Sequence, residues 1–209
     1  MKPSSTLVVL FAALSSVAWA GGLPYRGFGP TRKPHPTAVA LRDYTATIRT
    51  NLGDVTLALE PDAAPNAVLN FVRLAQQGVL DGRRFTCVFK DRMIIGGNPA
   101  APGKADPAQP IAKESGGLSA SAGAVLLDTT PDGRNAVDRF IILVSDQNHL
   151  DKDYTVFAQV SGGLDVVKRI GAVATRPNNG SPVPVEEVVI EQVLVNKRKA
   201  PTSKESDTK

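Results

Sequence analysis

LDGRRFTCVFKDRMIIGGN, residues 80–98, packs a turn, a strand and a paired glycine into one segment. Asp81-Gly82 is a turn dipeptide, and Phe85 to Phe89 is a β-prone run that predicts a strand. The segment ends on Gly96-Gly97 and contains Cys87, the single cysteine of the 209 residues. One cysteine excludes a disulfide scaffold, so packing has to supply the stability.

The flanking sequence extends this β pattern. In TATIRTNLGDVTLALE (45–60), two β-prone runs surround Asn51, Gly53 and Asp54, which predicts a hairpin. PDAAPNAVLNFVRLAQQG (61–78) places Pro65 near the start of a helix and Gly78 beyond its end. Val68, Phe71, Val72 and Ala75 fall on one helical face, so that face packs on a core. NPAAPGKADPAQP (98–110) holds four prolines and reads as a surface loop. FIILV (140–144), YTVFAQV (154–160) and PVEEVVIEQVLV (184–195) predict strands, and LDVVKRI (164–170) a short second helix. Short strands with two helices point to an antiparallel β barrel or sandwich, not a parallel α/β sheet.

The ends differ in composition. Residues 1–20 read as a signal peptide: Lys2, an apolar run over 7–14, and small residues at Ala18-Trp19-Ala20. A linker rich in proline and glycine follows over 21–40, then a domain over 41–196 and a charged disordered tail over 197–209. Residues 41–196 carry 15 basic and 18 acidic side chains, a net of −3, so the basic character of the chain lies in its flanks. A mildly acidic domain speaks against a nucleic-acid groove. Export to the periplasm or secretion is expected, with no transmembrane segment in the mature protein.

In order and wording these runs resemble a cyclophilin-type peptidyl-prolyl cis-trans isomerase. That family reads T-x-x-G-x-I-x-I-E-L, P-x-x-A-P-x-x-V-x-N-F and Y-D-G-x-x-F-H-R-V-x-x-x-F-M-I-Q-G-G-D. The corresponding runs here are TNLGDVTLALE (50–60), PDAAPNAVLNF (61–71) and LDGRRFTCVFKDRMIIGGN (80–98). DRFIILVSDQNHLDKDYTVFAQVSGGLDVVKRI (138–170) resembles the family's later S-Q-F-F-I and W-L-D segments, and PVEEVVIE (184–191) its last strand. The resemblance covers residues 46–195. It implies a mainly β fold: a closed eight-stranded antiparallel cyclophilin-like barrel capped by two helices.

The site positions are largely changed. By resemblance, Cys87 stands at the family's catalytic arginine and Thr86 at the histidine before it. The substrate-binding positions fall on Arg92, Met93, Ile95, Arg139, Ile141, His149, Leu150 and Tyr154. Of these, Met93 and Leu150 keep the family residue. Rotation about an X–Pro bond has a barrier of about 18–20 kcal/mol, and the family's arginine lowers it by donating to the prolyl nitrogen. A thiol is a weak, uncharged donor. The expectation is therefore an exported protein that binds peptide or protein segments, including proline-containing ones, with weak or lost isomerase activity. An active isomerase assisting exported proteins is the first alternative. A thiol or soft-metal protein on the same barrel is the second, because Cys87, Met93 and His149 are soft-ligand types that map to one pocket. Neither a metal nor any other cofactor is expected, and the protein is expected to be a monomer.

Overall fold

The computed structural model describes residues 40–97, 111–129 and 135–197. The signal-peptide and linker assignments up to residue 39, the whole proline-rich loop 98–110, and the tail beyond 197 lie outside the described residues.

Among the described residues, ten strands and two α-helices follow in chain order: β1 (Tyr44–Thr50), β2 (Gly53–Leu59), α1 (Pro65–Gln76), β3 (Phe85–Phe89), β4 (Met93–Gly96), β5 (Ala124–Thr129), β6 (Asn135–Leu143), β7 (Val156–Gly162), α2 (Leu164–Gly171), β8 (Thr175–Asn178), β9 (Ser181–Pro184) and β10 (Ile190–Lys197). Eight strands form one antiparallel sheet in the order β10-β1-β2-β7-β5-β6-β4-β3, and β8 pairs with β9 separately. The sheet curls until its edges meet. The Phe85 N–H donates to the Val188 carbonyl at 2.9 Å, the Ile190 N–H to Arg83 at 2.7 Å, and the Gly82 N–H to Ile190 at 2.8 Å. The seam is a single bridge, Arg84 to Val189, flanked by these bonds and not a full strand ladder. No helix among the described residues is long and apolar enough to cross a membrane.

The 45–60 hairpin forms with its turn at Asn51-Leu52. Helix α1 begins on Pro65, and Gly78 follows it in the left-handed region (φ 64°), where a glycine carries no Cβ penalty. Val68, Phe71, Val72 and Ala75 are all buried. Phe71 meets Phe140 edge-on at 6.0 Å and Phe157 at 5.3 Å, seating the helix inside the curled sheet.

The run over 184–195 is not one strand. β9 ends at Pro184 and β10 starts at Ile190. Between them, exposed Val185, Glu186 and Glu187 carry the chain over to the seam with Arg83–Phe85. The apolar pattern there lacks any glycine or turn dipeptide to mark the break.

The sheet is apolar on both faces. Along β3, β4 and β6 the inner positions are Val88, Ile94, Phe140 and Ile142; the outer ones are Cys87, Phe89, Met93, Ile95, Ile141 and Leu143. Two devices draw β3, β4 and β6 together. Gly97 has φ 109°, and any Cβ placed there would fall on the Asp138 carbonyl oxygen. Arg83, 4% exposed, pairs with Asp138 at 3.0 Å and also donates to the Val79 carbonyl at 2.7 Å.

Gly97→Ala combines a disfavoured φ with a collision against backbone. It is expected to lower the unfolding free energy by at least about 2 kcal/mol, read as a drop in the urea midpoint. An unchanged midpoint would show that β4 and β6 can separate freely at this point.

Candidate functional site

The outer apolar cluster is where the sequence positions converge. Ile95 pairs with Cys87 on one side and Ile141 on the other, while Met93 lies between Phe89 and Leu143. Because side chains alternate along a strand, these six project from one face. Leu126 of β5 and Val156 of β7 extend the strip. Ile141 is 2% exposed and Ile95 8%, so they form its floor. Cys87, Phe89, Met93, Leu118, Leu150 and Tyr154 are half-buried and form its rim.

The β3–β4 turn places Met93. Asp91 adopts φ 56°, tolerable for a short polar residue, and the Arg92 N–H closes the turn on the Phe89 carbonyl at 2.9 Å. Arg92 itself is exposed, and its guanidinium donates to Gln147 Oε1 at 3.5 Å. Arg139 lies two residues before Ile141 on the outer face and forms an ion pair with buried Asp128 of β5. Both arginines therefore border the strip, and the contacts they make are with Gln147 and Asp128. His149 sits exposed on the one-turn helix Asn148–Leu150, whose Leu150 packs on the strip. Of the three soft-ligand types, Cys87 and Met93 share the outer face; among the described residues no three His, Cys, Asp or Glu side chains gather as metal ligands would.

Sequence reasoning missed Phe89, Leu118, Leu126, Asp128 and Glu114. Phe89 follows from alternation with Cys87, and Asp128 from alternation with Leu126. Glu114 has no local signature. Ala64 precedes α1 without a side-chain cap, and no acid lies in the first turn. Glu114, 48 residues away, accepts from Asn66 N at 3.1 Å, Asn66 Nδ2 at 2.8 Å and Ala67 N at 2.9 Å. Its own N–H donates to Thr155 Oγ1 at 2.9 Å. Glu114 thus caps the helix with its carboxylate and, through its own N–H, ties it to the segment beside Tyr154.

These features meet in one family. The sequence model for cyclophilin type peptidyl-prolyl cis-trans isomerase/CLD matches residues 45–195, and the chain belongs to that family. It is 35% identical over 162 residues to Peptidyl-prolyl cis-trans isomerase B of Escherichia coli, covering 72% of this chain and 98% of that protein. It is 30% identical over 154 residues to Peptidyl-prolyl cis-trans isomerase-like 2 of Gibberella zeae, covering 72% of this chain. The chain spans only about a quarter of that fungal relative's length, 26%. The crystal structure of a Cryptosporidium parvum cyclophilin type isomerase, solved in the presence of the dipeptide Ala-Pro, superposes with a TM-score of 0.65 at 22% identity. That match covers 74% of this chain and 99% of the other, and carries the fold.

Burial raises the Glu114 pKa above its ordinary 4.5, with the amide bonds opposing the shift. A raised folded-state pKa contributes stability that is fully present below the unfolded value and is lost as pH rises through the folded one. The stability of wild type relative to Glu114→Gln is thus expected to be greatest below about pH 4.5 and to shrink as pH rises above it. Urea midpoints for both proteins across pH check this; a gap that widens with pH would reverse the sign.

Proposed function

We infer that this protein binds peptide or protein segments along its outer apolar strip, with weak or absent prolyl isomerase turnover. The observation that carries the reading is the ladder Cys87–Ile95–Ile141. Where the family presents an arginine and a glutamine, this strip presents a thiol and the branched alkyl side chain of isoleucine. It can hold an apolar or prolyl ring by burial, but it holds no cation over the amide nitrogen. Arg139 is engaged with Asp128 and Arg92 with Gln147, which supports reading both as edge groups and not as replacements for the missing donor. Loss of a charge-assisted hydrogen bond of about 1.5–3 kcal/mol corresponds to roughly one to two decades in rate.

The proposed setting is outside the cytoplasm, supported by the signal-like pattern of residues 1–20, and the proposed state is a monomer. Its clients would be exported proteins, with no role for nucleic acid.

A protease-coupled isomerisation assay on an Ala-Pro peptide is expected to show acceleration at least about tenfold below that of an ordinary cyclophilin. Cys87→Arg is expected to raise the rate. Turnover at the ordinary family level by the purified wild-type protein would overturn the reading.

A further inference from the structure

A cleft of about 430 Å³ opens beside the strip. Its walls include Leu118, Tyr154 and Val156, which also belong to the outer apolar cluster, so the cleft is continuous with the strip. Its size falls in the range of ligand pockets, about 300–1,000 Å³. Its charged lining is Glu114, Asp151 and Lys152, an excess of one negative charge. We propose that this cleft is a subsite for a lysine or arginine side chain of the segment bound on the strip. The proposal rests on the groove reading above and names the sequence class that the groove selects.

The two carboxylates are fixed and the ammonium is not. Asp151 Oδ1 accepts from the Ala120 N–H at 2.6 Å, and Oδ2 from Ser119 Oγ at 3.4 Å. This holds the carboxylate in place while leaving lone pairs for a further donor. Glu114 is anchored by the first amides of α1 and contributes negative charge from the cleft wall. Lys152 is exposed on a flexible four-carbon stem and can turn to solvent when another cation arrives. The apolar wall suits the methylene stem of a basic side chain, and the half-buried Tyr154 ring adds a face that attracts cations. A glutamate or aspartate placed here would meet the two fixed carboxylates.

The test is direct binding of acetylated, amidated pentapeptides with a central proline among alanines, carrying Lys, Glu or Ala at each flanking position in turn. The full chain and its Asp151→Asn variant are titrated by calorimetry at low salt; asparagine keeps an acceptor for the Ala120 N–H. At one flanking position Lys is expected to bind about fivefold tighter than Glu. That ratio should fall below about twofold in Asp151→Asn, with the all-alanine peptide unaffected. Equal binding of Lys and Glu peptides at every position, while the all-alanine peptide binds, overturns the subsite alone. So does a lysine preference that survives in Asp151→Asn. Failure of every peptide to bind overturns the groove reading and the subsite with it.

Discussion

In residues 140–143 of β6, Phe140 and Ile142 face the inner core while Ile141 and Leu143 face the outer strip, and none is more than 2% exposed. Burial on both faces removes the usual safeguard of strand register. In a half-solvated sheet, a slip by one residue exposes the whole apolar set and is heavily penalised. Here the same slip would trade one apolar face for another. The register therefore depends on features that tolerate a single alignment: Gly97 against the Asp138 carbonyl, and Arg83 pinned between Asp138 and the Val79 carbonyl. Both lie at the β4–β6 end of the sheet, close to the Arg83–Phe85 seam that joins the two sheet edges. The seam of the curled sheet and the alignment of the site thus share one set of locks.

The residues that hold the fold are nonetheless separate from those that face a ligand. The residues that hold register are on or behind the inner face, or in the turns. The residues that face a ligand are their alternating neighbours. Cys87 and Ile95 face outward, while their neighbours Val88 and Ile94 face the inner core. Polar groups on so nearly closed an apolar surface would be costly unless satisfied. The outer strip is itself a second apolar cluster with a buried floor.

The parts legible from sequence were those whose signals are local. Pro65, Gly78 and the spacing of Val68, Phe71 and Ala75 announced α1, and Asn51 with Gly53 announced the first hairpin. The strip was legible through family resemblance together with period-two alternation. The remainder depends on partners distant in sequence. Arg83 and Arg84 are adjacent and chemically identical, yet Arg83 is buried while Arg84 pairs with Glu187 at the surface. Parity with buried Phe85 separates them, but only once the strand is known. The crossing at 185–189 and the cap from Glu114 are set by tertiary geometry, and no local propensity encodes either.

What a ligand meets on this surface follows from which atoms remain reachable. The floor residues Leu126, Ile141 and Leu143 are at most 2% exposed, so contact falls to the rim of Cys87, Phe89, Met93, Leu150 and Tyr154. That rim is soft and adaptable: a thiol, a thioether, two aromatic rings and a leucine. Such a surface gains free energy from burial and dispersion, which carry little directional information. On the proposed reading, a site of this kind would accept many apolar or prolyl groups with similar affinity. Discrimination then falls to its charged edges, Arg92 and Arg139 at the strip and Asp151 at the cleft, where electrostatic complementarity selects partners more than it strengthens binding. The centre of the strip is neutral, and the charges stand around it.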